Sequence, residues 1–132
     1  MDSNTFYKNR IILVSIIEQL LYEGGDDNFV IFGLNSDYYI QLATSKGDYE
    51  IYCEAVSDNY LETEMSLTTK QKNNLNKLSW NQPQNSEGNY YLEHKVDSEL
   101  ARKTLAELIL NTANDVYHTK EINFDSIVLN LA

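Results

Sequence analysis

Residues 29–56 constrain the fold of this chain more than any other stretch. They read FVIFGL, NS, DYYIQLA, TSKGD and YEIYCEAV. Three short runs rich in β-branched and aromatic residues alternate with turn residues, the pattern of an antiparallel β-meander. Asn35-Ser36 suits a short turn, and Ser45-Lys46-Gly47-Asp48 a longer one with glycine available for positive φ. Side chains alternate faces along a strand. In the third run Ile51, Cys53 and Ala55 therefore share one face, and Glu50, Tyr52 and Glu54 the other. In the second run Tyr38, Ile40 and Leu42 oppose Tyr39, Gln41 and Ala43. The first run, Phe29–Leu34, is apolar on both faces, so it is central or has its second face covered by a partner.

The flanking segments read as helices brought in to cover this sheet. In Ser3–Glu23, residues Phe6, Arg10, Leu13, Ile17 and Leu20 recur at spacings of three and four, widened by Ile16 and Leu21. Ser3 or Asn4 can cap its start, and Gly24-Gly25 stops it. After the connector Ser57–Met65, Thr68 with Gln71 three residues on forms a capping-box pattern. It opens a short helix through Leu78, with Leu75 and Leu78 inward. Ser79–Gly88 is a loop holding the only proline, and Asn89–Lys95 a fourth strand with Tyr90, Leu92 and His94 on one face. Asp97 is placed to cap a last helix over Ser98–His118. Its stripe is Ala101, Leu105, Leu108, Thr112 and Val116, widened by Leu100, Ile109 and Ala113. The tail Glu121–Ala132 is apolar enough to order, as a strand or as a further helical piece.

The chain of 132 residues is sized for a single domain over 1–132, and 42% hydrophobic content gives it a core. Its net charge of −10 argues against nucleic acid and anionic membrane surfaces, since both need positive charge. Cys53 is the only cysteine, which excludes an internal disulfide and a thiolate-rich zinc site and fits a reducing cytoplasm. Lys8 and Arg10 before Ile11–Ile17 mimic a secretory leader, but Glu18 and Gln19 end the run and no small-residue cleavage site follows. No run reaches the ~20 apolar residues of a membrane span.

With helix, three strands, helix, strand and long helix in place, a layout emerges over Ser57–Leu110. Asp58-Asn59-Tyr60-Leu61 follows the meander. Leu67-Thr68 with Gln71, then Leu75 and Leu78, leads to Trp80 and Pro83. Asn89-Tyr90-Tyr91 precedes a helix with Ala101, Leu105 and Leu108. This layout resembles the YbjN and TY-Chap group of domains, which share the fold of type III secretion chaperones. The resemblance spans roughly Phe6–His118. One position departs from it: Ser79 stands before Trp80 where the group usually has glycine, which bears on the loop geometry. The resemblance implies an α+β fold, an antiparallel β-meander sheet with helices packed on one face in α-βββ-α-β-α order. It also implies a non-enzymatic, protein-binding role, often as a dimer, and supplies no catalytic residues.

The residues themselves offer no catalytic constellation. An enzyme site needs a nucleophile, a base and an orienting group, or a metal. His94 and His118 stand alone, and Cys53 falls on the apolar face of its strand. Asp26 and Asp27 are turn residues, too few for a calcium loop. The five glycines form no phosphate-binding loop. No metal, cofactor or redox dependence is expected.

The tyrosines are more informative. Of ten, Tyr39, Tyr52 and Tyr91 fall on the face opposite the helices, and Val30, Phe32 and Leu34 are assigned there with them. Val30, Phe32, Tyr39, Tyr52 and Tyr91 form the candidate partner-binding surface, covered by a second copy of the chain or by the tail, with Glu50 and Glu54 as a polar rim. Contiguous apolar and aromatic surface marks partner sites. The leading expectation is a cytoplasmic, chaperone-like, homodimeric protein-binding module. The alternatives are an acidic immunity or regulatory protein neutralising a basic partner, or a small-molecule binder with a pocket between sheet and helices.

Overall fold

The computed structural model describes residues 1–132 throughout. The order is α1 (Ser3–Tyr22), β1 (Asn28–Gly33), β2 (Tyr39–Thr44), β3 (Glu50–Ala55), α2 (Thr69–Lys77), β4 (Tyr90–Lys95), α3 (Glu99–Asp115) and β5 (Val128–Asn130), with short 3-10 turns between. All five strands form one antiparallel sheet in the order β4-β3-β2-β1-β5. The tail therefore holds both a 3-10 turn, Phe124–Ser126, and a strand, β5. It extends the sheet sideways instead of covering its open face, the other place its sequence allowed.

The helix boundaries follow local chemistry. Asp2 caps α1 by accepting from the Thr5 N–H, taking the place expected of Ser3 or Asn4. Gly24 leaves the helix at φ +71, and an added Cβ there would collide with the Asn28 side chain. Asn28 locks this corner: its Nδ2 donates to the Leu20 and Glu23 carbonyls, and its Oδ1 accepts from the Gly25 N–H. Two carbonyls near the end of α1 are thus satisfied by the first residue of β1. Thr68 and Gln71 make the expected capping box on α2. Ser98, not Asp97, caps α3, because its hydroxyl is the group that reaches the Ala101 N–H.

The core lies between the sheet and the α1/α3 pair. Ile40, Leu42, Ile51 and Cys53 point into it and are fully buried, as their alternation predicts. Leu13, Ile17 and Leu20 of α1, and Leu105, Ile109 and Leu110 of α3, meet them there. Leu100, expected to widen the α3 stripe, is 74% exposed instead, because it shares the outward side of α3 with the exposed Thr104 four residues on. Beyond α3, Tyr117 is fully buried and its hydroxyl donates to the Val56 carbonyl at 2.8 Å.

The register corrects the assignment of β1. Val30 pairs with Leu42 and Phe32 with Ile40, so both side chains join the core and are fully buried. Phe32 meets Phe124 edge-on with ring centroids 6.4 Å apart. Phe29 and Ile31 occupy the opposite face. A strand apolar on both sides carries no alternation, so only pairing with β2 decides which residues turn inward.

Candidate functional site

The face of the sheet away from the helices carries Phe29 and Ile31 of β1, Tyr39, Gln41 and Ala43 of β2, Glu50, Tyr52 and Glu54 of β3, and Tyr91, Glu93 and Lys95 of β4. Most of these residues are half-buried, shielded by one another and by the loops at the sheet's end, and Tyr52 is 40% exposed. Of the predicted surface, the structure brings Tyr39, Tyr52 and Tyr91 together here and removes Val30 and Phe32 to the core.

The tyrosines form an ordered floor. Glu54 lies opposite Tyr91, and Tyr52 opposite Glu93, which makes Tyr52 and Tyr91 a diagonal pair. Their rings stack with centroids 6.3 Å apart and planes 20° from parallel. Two of the three hydroxyls are tethered from outside the meander. Asn89 Nδ2 donates to the Tyr39 hydroxyl at 3.0 Å, and Gln84 Nε2 to the Tyr91 hydroxyl at 2.9 Å. Asn89 in turn accepts from the Ser57 N–H at 2.9 Å, so the residue that leads into β4 joins the segment leaving β3 to Tyr39.

Glu54 sits in the middle of this floor, not on its rim. It pairs with Gln41 on one side and Tyr91 on the other, and Tyr52 is its same-face neighbour on β3. None of the three ion pairs in the protein includes it: those join Arg10 to Glu107, Lys72 to Asp58 and Lys103 to Glu99. Burial raises the Glu54 carboxyl above its ordinary range. Burial also raises the Tyr39 and Tyr52 hydroxyls, and the Glu54 charge adds to both. Glu54 carries no signal of this kind in the sequence, where it is one glutamate of a surface alternation; its neighbours come from three strands.

The segments that carried the family resemblance have structural work. The Asp58 carboxylate accepts from the Leu67 N–H at 2.7 Å and pairs with Lys72 at 2.9 Å. Burial alone would raise its carboxyl, but these two partners outweigh it and hold it below the usual range. Gln71 donates to the Val116 carbonyl, and Trp80 to the Thr112 hydroxyl, fastening α2 and its following loop to α3. A polar cleft of about 450 Å³ runs beside Asp58, Lys72 and Tyr90, and another of about 560 Å³ beside Asn35 and His118. Both hold hydroxyls beside ionisable groups, but Thr119 donates to the Tyr117 carbonyl, Ser126 to that of Asn123 and Ser57 to that of Gly88, and none of the three to a base.

The other candidate groups stay apart. Cys53 is buried, and burial pushes its thiol far up, away from the reactive thiolate. His94 is half-buried with Nδ1 2.7 Å from the Lys95 carbonyl, and His118 is exposed. No three of the His, Cys, Asp and Glu side chains converge as a metal site would require. No helix is long and apolar enough to cross a membrane.

Residues 17–124, well over half of the chain, match the model of the TY-Chap3 family, described as T3SS (YopN, CesT) and YbjN peptide-binding chaperone 3. No curated protein and no solved structure matches the chain.

Proposed function

We propose, because the chain belongs to the TY-Chap3 family of peptide-binding chaperones, that it is a non-enzymatic module holding a peptide segment of a protein partner on the open face of its sheet. The observation that carries this reading is the tyrosine floor. Tyr39, Tyr52 and Tyr91 are gathered from three strands, and two of them are tethered by side chains from outside the meander. A rigid, amphipathic aromatic surface binds with little loss of side-chain freedom, which is why tyrosine is favoured at interfaces. The reading treats residues 1–132 as one domain, supported by a single hydrophobic cluster that draws on every long element. It places the protein in the cytoplasm, in keeping with one buried, unpaired cysteine.

The homodimer belongs to the same proposal, but on a different surface. Ile11 on α1 is 70% exposed, and with Leu100 on α3 it lies on the outer side of the helix pair. Together α1 and α3 balance Lys8, Arg10, Arg102 and Lys103 against Glu18, Glu99, Glu107 and Asp115. Two copies can approach through this neutral layer without like-charge repulsion. The alternative, an acidic regulator neutralising a basic partner, would act by charge alone and lose its partner in moderate salt.

The test is a selection from a random dodecapeptide display library on the wild-type protein. The selected synthetic peptides are then titrated against the Tyr52→Ser/Tyr91→Ser variant, its fold checked by circular dichroism. Loss of binding by about tenfold or more, roughly 1.4 kcal/mol, supports the face. Unchanged binding to a folded variant places the site elsewhere. Solution mass of wild type and Ile11→Glu, measured over a concentration series, tests the dimer.

A further inference from the structure

Glu54 is a lone carboxylate set into an aromatic floor, and its surroundings specify what would complete it. Its neighbours across the strands are Gln41 and Tyr91, with Tyr52 beside it and Tyr39 diagonal to it through Gln41. No side chain of the protein pairs with it. The only cation on this face is Lys95, which lies opposite Glu50 at the far end of the β3/β4 pair. The face therefore carries Glu50, Glu54 and Glu93 against one ammonium. The α1/α3 layer is neutral and α2 carries three lysines and no carboxylate, so the negative excess resides in the sheet, the loops and the tail.

We propose that the Glu54 carboxylate, walled by Tyr39, Tyr52 and Tyr91, is the subsite that takes a basic side chain, arginine ahead of lysine, from the peptide bound on this face. The proposal rests on the reading that the open face binds peptide and adds the determinant of which peptide. Arginine fits for two reasons. Its planar guanidinium donates to a carboxylate in a fork, and it stacks on tyrosine rings, whose faces attract cations. The Tyr52 and Tyr91 rings already lie nearly parallel, and the tethers on Tyr91 and Tyr39 hold the wall still. A metal ion is the poorer occupant. One carboxylate with phenol hydroxyls around it lacks the several oxygen ligands that a hard cation requires. The charge that half-burial makes costly in the free protein is the charge a guanidinium would neutralise in the complex.

The experiment uses peptides selected on the intact wild-type protein from the same kind of random dodecapeptide library. Each arginine of a selected peptide is replaced in turn by citrulline, which keeps the shape and removes the charge. The expected result is a basic residue enriched at one position, whose citrulline form binds about tenfold more weakly to wild type. Against Glu54→Gln the arginine and citrulline forms should bind within about twofold of each other. Glu54→Lys, as a second variant, should select acidic residues at that position.

Three other outcomes are decisive. If selected peptides depend on Tyr52 and Tyr91 but show no basic position, the subsite is wrong and the face reading survives. The subsite is equally wrong if citrulline costs as much against Glu54→Gln as against wild type. If no peptide is selected, or binding is indifferent to the Tyr52→Ser/Tyr91→Ser variant, the face reading fails and this proposal with it.

Discussion

The Trp80 indole Nε1 donates to the Thr112 hydroxyl at 3.0 Å, and both side chains are buried. This bond ties the loop after α2 to the last turn of α3. Thr112 also donates to the Leu108 carbonyl at 2.7 Å, which orients its lone pairs toward the indole. Thr112→Val keeps the volume and removes the acceptor, leaving a buried N–H without a partner. The expected cost is about 1–3 kcal/mol in urea unfolding. A double-mutant cycle with Trp80→Phe should show coupling, and additive effects would mean that the bond contributes nothing.

Phe32 and Tyr52 test the face assignment against each other. Phe32 is fully buried beside Phe124, and Phe32→Ala should cost about 3–5 kcal/mol. Tyr52→Ser, on the open face, should cost about 1 kcal/mol or less, mainly the lost stacking on Tyr91. Equal costs in thermal or urea unfolding would show that the register of β1 is misassigned.

Ser79 adopts φ +73, a left-handed backbone that an L side chain resists. Its position explains the constraint. The Trp80 N–H bonds the Leu75 carbonyl and the Ser79 N–H the Asn76 carbonyl, which is a Schellman close to α2. Glycine suits this site, so Ser79→Gly should stabilise the protein by about 0.5–1 kcal/mol after the larger unfolded-state entropy of glycine is counted. A lower melting temperature in the variant would contradict this account.

The Glu54 carboxyl has a folded-state pKa raised above its usual 4.5 by burial. A raised pKa means that stability is fully present below the unfolded value and declines as pH rises through the folded one. Glu54→Gln stays neutral and escapes that decline. It should therefore melt slightly higher than wild type at pH 7, with the gap closing below about pH 4. Asp58 has the opposite sign, its contribution falling away as pH drops through its lowered value, so it must be left intact in this comparison. A gap that persists unchanged at about pH 3 would show that the effect is not ionisation.

Much of this architecture was legible where local chemistry decides. The alternation of Ile51 and Cys53 against Glu50 and Glu54 gave the faces of β3, and Thr68 with Gln71 gave the start of α2. What escaped depends on partners distant in sequence. Val30 and Phe32 sit in a strand with no polar side, and only pairing with Leu42 and Ile40 turns them inward. The tail left strand and helix open because each of its pieces is three residues, too few for a period; it contains one of each, and pairing with β1 fixes the strand. Glu54 looked like a rim because a strand pattern shows which face a residue is on, not how central it lies within the sheet.

The pairing of Phe29–Ile31 with Val128–Asn130 has a consequence for how the protein is made. Most of the chain separates the two strands. At translation rates of about 5–20 residues per second, β1 is synthesised roughly 5–20 s before its outer neighbour exists. Through that interval β1 can fold against β2 and α1, yet its other edge is a bare row of backbone donors and acceptors. The closing contact is also the most non-local one in the sheet and should be among the last to form. In the finished sheet that flank is covered by a strand of only three residues. The nascent chain, rather than the native protein, is the species most open to mispairing with its neighbours.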